Sequence, residues 1–285
     1  MNGITVFTPT YNREKYLKTL YESLLNQEFD KFEWLIVDDG SSDNTRTLVE
    51  SLINENKIKI RYKYQNNAGK HVAFNTGVTY ARYDLFLCVD SDDYLVDGAL
   101  KRIYEKWDEV KNSKNNICGL LAYRGKSENQ TMFGEKFDNP LSFSTVKKEM
   151  KHRMFETTMV QRTDVLKKFP FPTFEGENFI TEDIVWRQID QEYVYYVVPE
   201  VWTICSYLSD GLTNTTNIFK YPKGEAEYYK IRYNSEDNLL NKMREYARYL
   251  VFDKTRLKGK YGNLFYLPAL ILSNVYYIVW KLRFK

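Results

Sequence analysis

The hydrophobic pattern of the first hundred residues switches between two periods. Thr5-Val6-Phe7 is a short apolar run stopped by Thr8-Pro9-Thr10-Tyr11-Asn12, and Glu14 to Asn26 then sets Tyr16, Leu17, Leu20 and Leu24 at helical spacing. Trp34-Leu35-Ile36-Val37 predicts a buried strand closed by Asp38-Asp39-Gly40-Ser41-Ser42. Asp43 is placed to cap the next helix, whose inner face would carry Leu48, Leu52 and Ile53. Ile58 to Tyr64 alternates at period two, a strand with one wetter face. His71 to Arg82 predicts a helix, and Leu85-Phe86-Leu87-Cys88-Val89 another buried strand. This repeat argues for an α/β fold with a mostly parallel sheet flanked by helices. Such sheets take ligands at the carboxyl ends of their strands, where three of these four runs carry polar clusters.

The middle is less regular. Ile117 to Tyr123 and Thr157 to Gln161 predict strands on either side of a polar stretch from Gly125 to Asn139. Phe169-Pro170-Phe171-Pro172-Thr173 is a breaker, Thr181-Glu182-Asp183 opens a helical run through Gln191, and Tyr193 to Val198 is a further strand. Beyond Thr216 the pattern is helical and basic. Leu264 to Trp280 is strongly apolar, but its seventeen residues, interrupted by Pro268, Ser273 and Asn274, fall short of the ~20 a membrane-spanning helix needs. Read as a helix from Ala269, it sets Asn274, Tyr277, Lys281 and Lys285 on one narrow stripe.

Composition narrows the class. With 43% hydrophobic and 28% charged residues, the 285-residue chain is neither disordered nor an ordinary polytopic membrane protein. Cys88, Cys118 and Cys205 lie far apart with no C-x-x-C pair, which argues against a zinc ribbon and a disulfide framework. His71 and His152 leave little for a histidine metal site or a Ser-His-Asp triad, and both are expected to be structural or surface residues. No secretory signal is visible at Met1, so a cytoplasmic location is expected.

The net charge of +3 divides unevenly. Residues 218–285 carry 14 basic and 6 acidic side chains, and the preceding 217 carry 27 and 32. After Asp253 the basic residues Lys254, Arg256, Lys258, Lys260, Lys281, Arg283 and Lys285 meet no acidic one. An acidic body and a basic tail imply different partners. Basic residues around an aromatic-rich apolar segment suit a helix lying on an anionic membrane, through residues 254–285. A helix packed on its own domain or in a dimer interface is the rival expectation, and a spanning segment comes third. Nucleic acid is not expected, because aliphatic surface separates the basic residues.

Asp90-Ser91-Asp92-Asp93 carries three carboxylates within four residues after a buried strand. Their mutual repulsion would raise their pKa values unless a cation is present, and Mg²⁺ or Mn²⁺ favours such hard oxygen donors together with phosphates. In an extended chain Asp90 and Asp92 share a side. The plain alternative is a solvated turn capping a helix near Asp97. Asp38 and Asp39 can accept from a nucleobase N–H or a ribose hydroxyl, and Tyr11 beside Pro9 offers an aromatic face. Asn67-Ala68-Gly69-Lys70 precedes a helix and would offer backbone N–H groups and an ammonium to a diphosphate. Each cluster alone can be a turn, a cap or a surface lysine.

Taken together, Pro9-Thr10-Tyr11-Asn12-Arg13, Val37-Asp38-Asp39-Gly40-Ser41-Ser42-Asp43, Asn67-Ala68-Gly69 with Asn75, and Asp90-Ser91-Asp92-Asp93 resemble the successive motifs of family 2 glycosyltransferases with the GT-A (Rossmann-like) fold. The match covers about the first hundred residues, weakens through residues 110–215 and is lost beyond. The resemblance implies a nucleotide-sugar donor, a divalent cation (Mn²⁺ or Mg²⁺) on Asp90, Asp92 and Asp93, and transfer with inversion. It sets Pro9, Tyr11 and Asp39 around the base and Asp92 on the ribose. Thr181-Glu182-Asp183 resembles the family's Glu-Asp segment, which makes Asp183 the expected general base and Glu182 its neighbour. The competing role is a pair of favourable acids in a helix's first turn. Phe155-Glu156-Thr157-Thr158 would line an acceptor pocket or merely start a strand, Trp186 is either a stacking platform for a sugar ring or, the preferred expectation, a core residue, and Tyr207 to Thr213 resembles a loop that closes over the donor.

The resulting expectation is a GT-A domain over residues 1–215 and a basic helical tail over 216–285. It would move a hexose, from UDP-sugar, to a hydroxyl of a glycan or lipid-linked acceptor at the inner face of the cell membrane. The rivals are a sugar nucleotidyltransferase, disfavoured because the first strand-to-helix turn lacks a Gly-rich triphosphate loop, and a non-catalytic nucleotide-fold scaffold. A dinucleotide oxidoreductase is disfavoured because no G-x-G-x-x-G follows the first strand. Sequence alone indicates no oligomeric state.

Overall fold

The structure is a computed structural model that describes residues 1–138, 140–149, 156–205 and 217–283. His152, Phe155, Lys285 and the Tyr207–Thr213 loop lie outside the described residues. The chain divides into two units, Met1–Pro170 with Glu192–Leu208, and Phe171–Gln191 with Ser209–Lys285.

In the first unit, β1 (Ile4–Thr10), α1 (Glu14–Leu25), β2 (Phe32–Asp38), α2 (Thr45–Glu55), β3 (Ile60–Tyr64), α3 (Lys70–Tyr80) and β4 (Leu85–Cys88) follow the expected alternation. β1 pairs in parallel with both β2 and β4, and β2 with β3. All seven residues of β1 and of β2 are buried, which is why their centres read as short apolar runs and not as an alternation with one wet face. Five buried polar residues interrupt those strands, Thr5, Thr8, Thr10, Glu33 and Asp38, and two of them meet, since the Thr5 hydroxyl donates to the Glu33 carboxylate at 3.0 Å.

Beyond β4 the sheet turns mixed. After β5 (Tyr94–Leu95) and α4 (Ala99–Val110) come β6 (Ile117–Ser127), β7 (Gln130–Thr131), β8 (Phe143–Ser144), the short α5 (Val146–Glu149), β9 (Thr157–Arg162), α6 (Thr163–Leu166) and β10 (Val194–Ile204). The strand order is β3-β2-β1-β4-β9-β6-β10-β5, with β7 on β6 and β8 on β10. β9 runs antiparallel between β4 and β6, so the long β6 lies two strands from the end of β4. β10 outruns its expected end at Val198, continuing through Pro199 with register shifts between Val197 and Val201. A proline cannot donate to a ladder, and the irregularity accommodates it.

The second unit is helical. It holds α7 (Asp183–Ile189), a 3-10 turn at Ile218–Lys220, α8 (Pro222–Ser235), α9 (Leu239–Phe252), α10 (Lys260–Leu264) and α11 (Tyr266–Arg283). Asn238 caps α9, its side-chain oxygen accepting the N–H groups of Leu240 and Asn241 at 3.0 and 3.1 Å. The core gathers Ala226, Tyr233, Tyr246, Ala247, Leu250 and Ala269. Tyr229, Phe252 and Trp280 stack mutually with centroids 5.8 to 6.1 Å apart, fastening α11 onto α8 and α9. α11 begins at Tyr266, three residues before its expected start, because Pro268 falls in the first turn, where a missing N–H costs nothing. Among the described residues no helix is long and apolar enough to cross a membrane.

Candidate active site

Parallel pairing places the carboxyl ends of β1, β2 and β4 side by side. The backbone at Asn12 is left-handed (φ 54°), and its side-chain oxygen accepts the N–H groups of Ser42 and Asp43 at 2.8 and 3.3 Å. This ties the turn after β1 to the turn after β2. Pro9 is buried opposite Val37, while the Tyr11 ring is 49% exposed, an available stacking face. Asp38 is fully buried, accepting from the Ser41 N–H at 2.7 Å and from the Tyr62 hydroxyl, whose pKa burial and Asp38 together raise. Asp39 accepts from Gln65 Nε2 at 2.7 Å and from the N–H groups of Ala68 and Gly69 at 3.0 and 2.8 Å. Those last two donors were expected to face a diphosphate, and Asp39 already uses them. Among the described residues these three donors leave one of the roughly four acceptor positions of the buried Asp39 without a hydrogen bond. Gly40 makes the crowding possible, because at φ 87° a Cβ would lie 2.8 Å from the exposed Asn67's backbone nitrogen.

At the end of β4 the chain does not stay extended. The Asp93 N–H donates to the Asp90 carbonyl at 3.0 Å, so residues 90–93 turn, and the expected shared side for Asp90 and Asp92 gives way to a compact loop. The helix near Asp97 is capped by Gly98 without a side-chain bond, so these acids are not its cap. Lys70 Nζ sits 2.8 Å from the Asp90 carboxylate. Arg124, at the far end of β6, reaches Asp90 at 3.6 Å, Asp93 at 3.5 Å and Glu156 at 4.0 Å. Burial opposes the charge on Asp90, but Lys70 and Arg124 outweigh it and hold its pKa low. Asp93 is buried, and its pKa is pushed up to about 7 by burial, which Asp90 reinforces and Arg124 resists. Asp92 is raised as well, by burial and by the charge of Asp90. The Cys205 thiol donates to Asp93 at 3.2 Å.

Among the described residues no three acidic, histidine or cysteine groups converge as a ready-made metal cage. The donor set nonetheless suits a divalent cation. Asp92 and Asp93 are hard oxygen donors held where negative charge is disfavoured, and an ion that keeps water and phosphate ligands needs only one or two protein carboxylates.

This edge matches the glycosyl transferase family 2 model, which covers residues 5–173. The chain belongs to glycosyltransferase family 2. It is 31% identical over 204 residues to the poly(ribitol-phosphate) beta-N-acetylglucosaminyltransferase TarS of Staphylococcus aureus (strain MW2), across 68% of this chain and 35% of that protein. The chain thus spans about a third of that relative's length. It is 32% identical over 239 residues to the GalNAc(5)-diNAcBac-PP-undecaprenol beta-1,3-glucosyltransferase of Campylobacter jejuni, covering 82% of this chain and 75% of that protein. Among solved structures, TarS 1–349 in complex with UDP-GlcNAc superposes with a TM-score of 0.64 at 21% identity, over 95% of this chain and 80% of that one. The mannosyltransferase PcManGT of Pyrobaculum calidifontis, in complex with GDP-Man and Mn²⁺, gives a TM-score of 0.58 at 15% identity over 96% and 76%. These structural likenesses establish the GT-A fold for this member of family 2.

The other expected residues of this family 2 chain lie in the second unit. Asp183 is the first residue of α7 and Glu182 its N-cap. Asp183 accepts from Arg187 Nε at 2.5 Å, and Arg232 on α8 stands 4.0 Å away. Ionised partners on both α7 and α8 therefore fix this carboxylate. Trp186 is buried with its ring edge-on to Phe171, a core residue as expected. Thr158, in the stretch read as acceptor-lining or strand, bonds the Thr203 hydroxyl within the sheet.

Sequence reasoning missed Arg124 and Cys205. The available signal for Arg124 was a lone arginine directly after an apolar strand, at the same sheet edge as the acids. His71 is buried, neither ring nitrogen is hydrogen-bonded among the described residues, and burial lowers its pKa against the pull of Asp39. It is therefore a neutral structural ring at the start of α3.

Proposed function

We propose that the chain is an inverting, metal-dependent hexosyltransferase. It moves a sugar from a nucleoside diphosphate donor, a UDP-sugar, to a hydroxyl of a glycan or lipid-linked acceptor in cell-surface polysaccharide synthesis. The observation that carries this reading is the carboxylate group Asp90, Asp92 and Asp93 beside Lys70 and Arg124, at the strand edge shared with Tyr11 and Asp39. The named activities of TarS and of the Campylobacter relative support the acceptor class, and the UDP-GlcNAc bound to TarS supports the donor.

In this reading residues 1–215 are the catalytic domain and 216–285 the tail. Tyr11 stacks on the base and the remaining acceptor position of Asp39 takes its N–H, while Asp92 meets the ribose. A divalent cation on Asp92 and Asp93, with Asp90, would neutralise charge as the nucleoside diphosphate departs; the Mn²⁺ in the PcManGT complex supports this choice of ion. Lys70 and Arg124 orient these carboxylates. Asp183 accepts the proton of the attacking hydroxyl, which adds its oxygen to the anomeric carbon as the diphosphate oxygen leaves from the opposite face. Location follows the tail, with peripheral attachment at the inner face of the cell membrane through residues 254–285.

The test is a panel of nucleotide sugars with Mn²⁺ or Mg²⁺, scored for donor hydrolysis. Metal-dependent release of UDP from one or a few UDP-sugars is expected. If no donor turns over, the non-catalytic scaffold becomes the better reading.

A further inference from the structure

The tail helix α11 is apolar on two opposite faces. One face is spent inside the unit, where Ala269 and Ser273 are fully buried and Trp280 stacks on Tyr229 and Phe252. The other carries Leu267, Ile271, Val275, Ile278 and Leu282, which are 52 to 72% exposed. Their spacing of four, four, three and four aligns them in a single stripe. Among the described residues, eight of the seventeen exposed large hydrophobic side chains fall between Leu264 and Leu282. Scattered exposed aliphatics need no explanation, but a continuous stripe does.

We infer that this stripe is a membrane-insertion face, entering the headgroup–acyl boundary of an anionic bilayer while the opposite face stays packed on α8 and α9. The inference rests on the membrane-surface reading of residues 254–285 and names the side chains and the mode. The helix is folded before it binds, so insertion does not bear the cost of ordering it. A spanning mode conflicts with Lys281, with Asn274 and with the protein contacts along the buried face. Asn274, at the stripe's edge, satisfies its own amide by donating to the Leu270 carbonyl at 3.2 Å, which eases its entry into the boundary.

Charge decides between a bilayer and a second copy of this chain. The charged side chains after Asp253 are all basic, so pairing two such helices brings like charges together, whereas an anionic surface attracts them. The same unit also has a cavity of about 830 Å³ lined by Lys223, Lys230, Lys254, Arg256 and Lys258 against Glu227 and Asp253. Lys223, Lys254 and Lys258 make no ion pair among the described residues, and Arg256 lies over the Tyr266 ring at the start of α11. These cations are available to lipid phosphates.

The experiment floats the full chain with vesicles of phosphatidylcholine alone or mixed with phosphatidylglycerol. The variants are I271S/V275S/I278S, which alters only the exposed face, and K254A/R256A/K258A. The native chain should bind the mixed vesicles, the triple-serine variant at least about 30-fold more weakly with unchanged circular dichroism and unchanged donor hydrolysis without vesicles. The triple-alanine variant should lose its preference for anionic over neutral vesicles. If the serine variant binds like the native chain while the alanine variant does not, attachment is by charge alone: the insertion face is wrong and the membrane-surface reading survives. If the native chain binds neither vesicle, both fail. A dimer in light scattering that the serine variant converts to a monomer would assign the stripe to a second copy and overturn the inference.

Discussion

Both units bury charge against partners, Glu245 with Arg232 and Arg248 in the second as Asp90 with Lys70 and Arg124 in the first, but they differ in the surface they leave over. In the first, charges are taken into the sheet edge with designated partners for Asp39 (three donors), Asp90 (Lys70 and Arg124) and Asp93 (Arg124 and a thiol), while the pKa values of Asp92 and Asp93 stay raised. In the second, aromatic stacking supplies much of the cohesion, and the excess apolar surface of α11 stays outside. The match to the family 2 model ends at residue 173, near the first break between the units. Shared chemistry therefore coincides with costly, specifically compensated burial, and the part outside the family model carries an unspent surface. A partner lost from the first unit should cost reaction rate or fold, while a residue lost from the exposed side of the second should cost only attachment.

The sharpest break of that comparison is Asp183, a proposed catalytic group that belongs to the helical unit. Asp183→Asn should lower transfer by about 10²- to 10⁴-fold, the usual contribution of a general base, with nucleotide affinity nearly unchanged by titration calorimetry. Near-native turnover would remove Asp183 from the reaction and leave all the chemistry in the first unit.

Next in size is Arg124. Its side chain is one-fifth exposed, and it faces Asp90, which Lys70 also pairs, and Asp93, which has no other cationic partner among the described residues. Arg124→Met should destabilise the chain by about 3 kcal/mol in urea, because removing one partner strands buried charge. A loss below about 0.5 kcal/mol would make the cluster a solvated surface feature. In the second unit Trp280→Ala, which removes one of three stacked rings, should cost about 2 kcal/mol and loosen α11. Amide exchange would report this as lost protection confined to α8, α9 and α11, and uniform loss across both units would contradict it.

What the sequence reveals follows from which forces act locally. Strands buried on both faces are apolar through their centres, so β1, β2 and β4 were legible, as were the acids that follow them. The two-residue strands β5, β7 and β8 form because longer neighbours offer free edges, and no local pattern announces them. β10 hid its second half behind Pro199. Arg124 was hidden for a topological reason, since only the insertion of β9 between β4 and β6 brings it to Asp90 from thirty-four positions away. The apolar character of α11 was plain, but its division into a packed face and a bare one depends on where α8 and α9 lie.

The smallest expected effect concerns protons at the acidic cluster. The folded pKa of Asp93 is about 7, against about 3.9 for an unfolded aspartate, so the folded chain binds more protons between those values. Stability from this group is present below about pH 4 and is lost as pH rises through 7. His71, with its lowered pKa, acts in the opposite sense and loses stability as pH falls below 6.5. Comparison with Asp93→Asn isolates the aspartate, since the histidine contribution is common to both proteins. Between pH 5 and pH 8 the native chain should lose on the order of 1–3 kcal/mol relative to that variant in urea unfolding without divalent ions. Mn²⁺ should shrink the loss, because a cation at the carboxylate replaces the proton that burial retains. Parallel pH profiles for the two proteins would mean that Arg124 alone compensates Asp93, leaving no electrostatic demand for a metal at the end of β4.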